Sequence, residues 1–361
     1  DTSTWSTSIR RVPLEPFTAA FGPSKVLSAD KRELDFFHQL FPEELYQTIA
    51  DETNRYADEC IRKNPRGDSK WRRTTPEEIR AFIGIQVVMG IIHAPNQDLY
   101  FSKNQLIHST GIQSIITRDR LDKLGQYLHV NMVDDNPPRG EPGHDRLAHV
   151  RPVIDTVRHQ CKEAYLPHCE TSIDEAMIGF TGRLGFKQYM PMKPIKRGIK
   201  VWVRADPHNG YVNDIQIYTE KSSQGTECGL GERVVLDLTK DILGRNHHVY
   251  CDNYFTSVPL FEKLLKDKTY ACGTVRLNRK GLPGLVTKAK LWKQGEVVQV
   301  QKGKMVATAW RDKCTISLLS TNSDPTITTE VERRQKDGSS AKVPCPAVVK
   351  QYTQFMNGVD R

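Results

Sequence analysis

Apolar residues recur at helical spacing from about residue 30 to 168, switch to short strand-like runs near 169, and return to helical spacing after Pro346. Residues 1–29 keep no clear period and read as a flexible arm. Leu45, Ile49 and Tyr56 follow a helical face, and Leu121, Leu124 and Leu128 mark another. Thr75-Pro76-Glu77-Glu78 has the form of a capping box, with Pro at the first helical position; it opens a helix carrying Ile79, Phe82, Ile83 and Val87. Met132–Arg146, rich in Asp, Asn, Pro and Gly, is expected as a surface loop, and His149–Ala164 as a helix with Val153, Ile154, Val157 and Cys161 inward.

Beyond residue 169 the pattern predicts strands over Ser172–Phe180, Ile199–Ala205 and Tyr211–Tyr218, the last two joined as a hairpin through Asp206–Gly210. A helix over Glu232–Leu243, a buried strand His248–Cys251, a Ser257-capped helix and a strand Tyr270–Val275 follow. This order is that of a mixed α/β sheet. Val297–Val300, Met305–Trp310 and Thr315–Leu319 predict a β-rich insertion or a second sheet, with Asn278–Pro283 and Thr321–Val343 as loops. Pro346–Arg361 reads as a closing helix through Val349, Tyr352 and Met356. The expected division is an arm at 1–29, a helical domain at 30–168, a sheet domain at 169–277, an insertion at 278–344 and a last helix at 345–361.

The net charge of +9 and pI near 9.0 suit an anionic partner, nucleic acid being the commonest, or else a solubilising surface. The eight cysteines include no C-x-x-C, and the spacing of Cys161 and Cys169 is not that of zinc ligands; unpaired thiols in a reducing compartment are expected. The longest apolar run, Ile83–Ile92, is too short to cross a bilayer. A start at Asp1 and a stop at Arg361 within a helical pattern suggest a fragment. Gly225, Gly229 and Gly231 fit no phosphate-loop or dinucleotide fingerprint. His247-His248 with Cys251 hints at zinc, but no second ligand pair is suitably spaced, and local satisfaction is the simpler reading. Trp71, Trp202, Trp292 and Trp310 read as packing residues, with a base-stacking role as the alternative.

Two acids stand out. Asp174 lies inside a predicted strand, where Asp is depleted and costly if buried unpaired; a solvent-facing edge strand is the alternative. Asp252 ends the buried run before Asn253, where turn chemistry is the alternative. Acids from neighbouring strand ends can hold Mg²⁺ for phosphoryl displacement. Asp360 is a third candidate that its pattern alone leaves as a surface residue. Between Glu175 and Asp206 no acid occurs, while Arg183, Lys187, Lys193, Lys196, Arg197, Lys200 and Arg204 do, interleaved with Phe180, Phe186 and Tyr189. Such a stretch suits a DNA backbone near the acids; a solvated hairpin face is the alternative.

Thr171–Glu175, Gly182-Arg183 and Lys187–Pro194 together resemble the first acidic motif of the piggyBac transposases. Tyr250–Ser257 resembles the second and Asn357–Asp360 the start of the third, in the family's order. Arg151-Pro152 and the preceding helices are also similar, so the likeness runs from about residue 35 to the end. Thr181 departs from it, standing where a basic residue is expected; the chain ends before a further Asp and a cysteine-rich zinc module.

The resemblance implies an RNase H-like catalytic sheet with a helical dimerisation and DNA-binding part. Asp174, Asp252 and Asp360 would be catalytic ligands of Mg²⁺ or Mn²⁺, as two ions. The expected DNA contacts are Arg183, Lys187, Tyr189, Lys193, Lys196, Arg197, Lys200 and Asn253. It implies a nuclear homodimer acting on double-stranded DNA: cleavage at transposon terminal repeats, a hairpin intermediate and joining at TTAA targets. The alternative is a domesticated, catalytically silent DNA- or chromatin-binding descendant; a nuclease without strand transfer is a third reading.

Overall fold

A computed structural model describes residues 4–104, 106–134, 136–219, 229–334 and 338–360; Gly225 and Cys228 lie outside them. The chain forms two compact units, residues 27–160 and residues 1–26 with 161–361.

The first unit is helical: α1 (Glu33–Leu40), α2 (Glu43–Lys63), α3 (Pro76–Ile91), α4 (Thr110–Ile115), α5 (Arg118–Tyr127) and most of α6 (Arg151–Ala164). α2 opens on Glu43 and Glu44 and closes on Arg62 and Lys63, complementing its dipole. Its Leu45, Ile49 and Ala50 pack on Ile79 of α3, while Phe82 and Ile85 pack with Leu121 and Leu124 of α5. Only half of the expected capping box forms. Thr75 accepts the Glu78 N–H, but the Glu78 carboxylate turns to Thr74 and to the buried Arg120 guanidinium, a stronger partner than a backbone amide.

The second unit carries the sheet. Its strands are β1 (Gly22–Pro23), β2 (Tyr165–Leu166), β3 (Glu170–Gly179), β4 (Gln188–Tyr189), β5 (Arg197–Ala205), β6 (Val212–Ile217), β7 (His248–Cys251), β8 (Tyr270–Thr274), β9 (Val297–Lys302), β10 (Met305–Arg311), β11 (Thr315–Ser320), β12 (Thr328–Arg334) and β13 (Ser340–Pro346). Helices α7 (Leu230–Thr239), α8 (Val258–Lys266), α9 (Gly284–Thr287) and α10 (Ala347–Phe355) complete it. Among the described residues nine strands join in one sheet, ordered β4-β5-β3-β7-β8-β11-β10-β9, with β6 also on β5. β3, β7 and β8 are mutually parallel and the other pairings antiparallel.

The short buried strands β7 and β8 are apolar on both faces, as a covered parallel sheet requires. On one face Ile173, Val249, Cys251 and Ala271 meet Val234, Val235 and Leu238 of α7 and Leu260, Phe261 and Leu264 of α8. On the other, Tyr250, Cys272, Trp310 and Leu318 meet Val348 and Val349 of α10.

Four expectations change. β9–β11 extend the main sheet through β8–β11 pairing and make no second sheet. The stretch 321–343, expected as a loop, holds β12 and most of β13 as an antiparallel ribbon. Its exposed Glu, Arg and Lys hide the strand period: β12 buries no residue fully, and β13 only Val343, Cys345 and Pro346. The arm is not loose over residues 4–26: Trp5 Nε1 donates to Gly281 O at 2.8 Å, Ser6 bridges Gln301, and Val12 is buried. Trp292, expected to pack, is 81% exposed.

Gly273 of β8 sets how closely the segment after β7 can approach. A Cβ there would stand 2.1 Å from Thr256 Oγ1 and 2.6 Å from Cys251 O. Gly273→Ala is therefore expected to lower unfolding stability by roughly 2–4 kcal/mol, read by chemical denaturation; an unchanged midpoint would contradict this packing.

Candidate active site

The register of β3 on β7 pairs Ile173 with Cys251, and both side chains enter the core beneath α7 and α8. Side chains alternate along a strand, so the next residue on each strand turns to the opposite face. Those residues are Asp174, within the long β3, and Asp252, just past the end of β7. Neighbouring strands lie about 4.8 Å apart, so the two carboxylates stand side by side.

Asp252 is fixed by the tight turn that follows it. Its Oδ1 accepts the Tyr254 N–H at 2.8 Å, and its carbonyl accepts the Thr256 hydroxyl at 2.8 Å. Ser257 then caps α8 by accepting the Leu260 N–H. Asp174 Oδ1 accepts the Glu175 N–H at 2.7 Å. Among the described residues neither Asp174 nor Asp252 forms an ion pair.

α10 lies on the aspartate face and leads into a turn at Met356–Gly358. A Cβ at Gly358 would stand 2.3 Å from Ser172 Oγ and 3.0 Å from Pro207 Cα, so the backbone there lies directly against β3. Val359 packs with Val201, Val203 and Ala205, and Val203 is the register partner of Asp174. Asp360 follows on that face with an exposed side chain. The structure thus juxtaposes Asp174 and Asp252 and delivers Asp360 to the same face; the oxygens of all three do not converge within 4.8 Å.

Burial is the main force on both strand acids. It pushes Asp174 up from 3.8 to about 6, reinforced by the Asp252 and Glu175 carboxylates and opposed by the Glu175 amide and by Lys193. Burial also raises Asp252, with Glu175 reinforcing it and the Tyr254 amide and Arg276 opposing.

The expected DNA contacts fall into two groups. Arg183, Tyr189, Lys196 and Arg197 are exposed, and Arg197 lies over the Tyr189 ring at 5.3 Å. Lys187 Nζ donates to Gly182 O at 2.9 Å. Lys193 donates to Glu175 O at 3.1 Å, and Lys200 pairs with Glu175 Oε2 at 2.8 Å, so both are engaged beside the acids. Asn253 Oδ1 accepts from Arg276 Nε at 2.8 Å, and the buried Arg204 pairs with Asp241.

Sequence reading passed over Arg276, Arg279 and Lys280. They line a cleft of about 520 Å³ beside Tyr254 and Ser257. Arg279 also donates to the carbonyls of Asn253 and Tyr254. Three cations within five residues after a strand were the available signal.

A family profile described as Transposase IS4, of the DDE type, matches residues 32–361. The chain belongs to this family of DDE transposases. Its piggyBac character is equally plain. It is 29% identical over 297 residues to human PiggyBac transposable element-derived protein 3, covering 80% of this chain and 49% of that protein. It is 26% identical over 363 residues to human PiggyBac transposable element-derived protein 2, covering 92% and 56%. Human PiggyBac transposable element-derived protein 5 is 23% identical over 375 residues, covering 99% and 69%. The chain thus spans about half the length of the first of these relatives. A piggyBac transposase solved as a synaptic complex with hairpin DNA superposes with a TM-score of 0.77 at 28% identity, covering 95% of this chain and 69% of that one. No helix among the described residues is long and apolar enough to cross a membrane.

DDE transposases are phosphoryl-transfer enzymes that use divalent metal, and the donor set here fits one. Two hard carboxylates stand side by side with no ion-pair partner among the described residues, the ligand type that suits Mg²⁺ or Mn²⁺.

Raising Asp174 from 3.8 to about 6 means that the folded chain holds more proton than the unfolded chain between those values, so stability falls as pH rises through them. Asp174→Asn removes that penalty. In EDTA at pH 7.5 the variant is expected to exceed the parent by on the order of 1–2 kcal/mol. The gap should close below about pH 4, read by denaturant titration across pH. A less stable variant at pH 7.5 would contradict the like-charge pair.

Proposed function

We propose that this chain carries the catalytic part of an active cut-and-paste transposase, with β3, β7 and β8 forming the centre of an RNase H-like sheet. The observation that carries this reading is the juxtaposition of Asp174 and Asp252 on neighbouring parallel strands, with the backbone before Asp360 against β3 on the same face. Mg²⁺ or Mn²⁺, as two ions, would polarise the scissile phosphate and the attacking water there and stabilise the leaving oxygen. Asp174 and Asp252 would hold the metals from rigid strands, and Asp360 would close on them from the C-terminal turn when DNA enters.

Double-stranded DNA is the substrate in this reading. Arg183, Lys187, Tyr189, Lys196 and Arg197 would hold the backbone on the β4–β5 side, and Arg276, Arg279 and Lys280 on the other. Such contacts position DNA without reading its sequence. Lys193 and Lys200 would act through Glu175, keeping positive charge near the acids. Asn253 would hold Arg276 toward the phosphate. A similar piggyBac transposase is solved with hairpin DNA, which supports element-end DNA as substrate; TTAA targets, a homodimer and a nuclear location complete the reading as proposals.

Purified chain is expected to nick DNA bearing its element ends only with Mg²⁺ or Mn²⁺, and Asp252→Asn should lower the rate at least 10³-fold while leaving DNA binding within a few-fold. Equal cleavage by parent and variant would overturn the assignment. Binding that survives EDTA, with no cleavage under any metal, would favour a domesticated DNA-binding protein, and nicking without joined product a stand-alone nuclease.

A further inference from the structure

A second ligand cluster sits at the other end of the same two strands. Glu170 opens β3 and His248 opens β7, and the two are register partners. Cys169 directly precedes Glu170, and its carbonyl accepts the His248 N–H at 2.8 Å. The three side chains are thus anchored through paired backbone. A sulfur, a carboxylate oxygen and a ring nitrogen from them all lie within 4.8 Å of one another, half-buried. Four residues of strand separate Glu170 from Asp174, which puts this cluster about 13 Å from the strand acids.

The chemistry differs from that of the aspartates. A thiol with an imidazole selects a soft or borderline transition metal over Mg²⁺. Zinc ligands bond at about 2.0–2.3 Å, so tetrahedral neighbours are about 3.3–3.8 Å apart, and side-chain rotation of about an ångström would close the present group onto an ion. Glu170 is already oriented: its Oε2 is 3.0 Å from His208 Nε2, the outer-shell contact that steadies a metal-binding carboxylate. The neighbouring candidates are engaged elsewhere. His168 Nδ1 is 2.7 Å from Asp206, and His247 Nδ1 is 3.0 Å from the His168 carbonyl. Cys251, which the sequence set beside His248, is buried in the core under α7 and α8.

We propose that Cys169, Glu170 and His248 form a three-ligand site for a zinc-class transition metal, separate from the strand acids, with water in the fourth position. Three protein ligands and one open side are the pattern of an exchangeable site. As the metal–sulfur bond forms, the Cys169 proton passes to solvent and the incoming ion sheds water. The bound ion ties the start of β3 to the start of β7, and so stabilises the same pairing that sets Asp174 beside Asp252.

The test is a Co²⁺ titration of the metal-stripped 361-residue chain. A near-ultraviolet thiolate-to-cobalt band should saturate at about one equivalent, yield to Zn²⁺ and withstand excess Mg²⁺. The Asp174→Asn, Asp252→Asn double variant should keep the band, Cys169→Ser should lose it, and Glu170→Gln should weaken binding about tenfold. Zn²⁺ should raise the Tm of the parent and leave that of Cys169→Ser unchanged. Should Cys169→Ser fail to fold, alkylation of the parent decides: Zn²⁺ must shield Cys169 from iodoacetamide, read by peptide mass spectrometry. No band, the same band in Cys169→Ser, or an unshielded Cys169 would overturn the proposal. Loss of DNA cleavage alone would bear on the aspartates and leave this site untouched.

Discussion

The pairing of Ile173 with Cys251 across two parallel strands is the contact on which the site depends. It anchors β3 to β7 in the core, and it forces the next residue on each strand to the other face. A one-residue slip would send one acid into the apolar layer under α7 and α8, where an unpaired carboxylate is costly. Register, core packing and the placement of the acids are therefore one constraint. Its cost is visible in the acids themselves: burial raises both, with the Asp252 and Glu175 carboxylates reinforcing the rise of Asp174 and Glu175 that of Asp252. Two half-buried carboxylates without an ion-pair partner among the described residues cost stability, and such perturbed acids are found more often at functional sites than elsewhere.

Neighbouring parts serve the same end. Gly273 lets the turn after Asp252 tuck against β8, and Gly358 lets the C-terminal turn lie on β3. Glu175, one residue beyond Asp174, gathers Lys193 and Lys200, so positive charge stands close to the acids without pairing with them. Arg276 and Arg279 extend that field on the far side of Asp252.

Much of this was legible in the sequence. β7 was read to the residue, because a four-residue run between His247 and Asp252, with Val249, Tyr250 and Cys251 buried, is too short for a helix. The hairpin of β5 and β6 was read from the turn at Asp206–Gly210, where Gly210 takes a left-handed φ of 77°. Asp174 and Asp252 were visible as acids out of place. Asp360 was not, because a polar residue after an amphipathic helix has an ordinary pattern; only motif resemblance singled it out, and only the fold explains it, through Gly358 against Ser172. The ribbon of β12 and β13 was hidden by charges on both faces, and the packed arm by its lack of period. The Cys169, Glu170 and His248 group was hidden because its members come from two strands 78 residues apart and meet only through register.

The most direct measurement is anomalous diffraction from crystals of the chain with element-end DNA and Mn²⁺. A manganese peak between the carboxylates of Asp174 and Asp252, lost in Asp252→Asn, is the expected result. Manganese bound only elsewhere, or the same peak with Asp252 replaced, would contradict the assignment of this pair as the metal-holding centre.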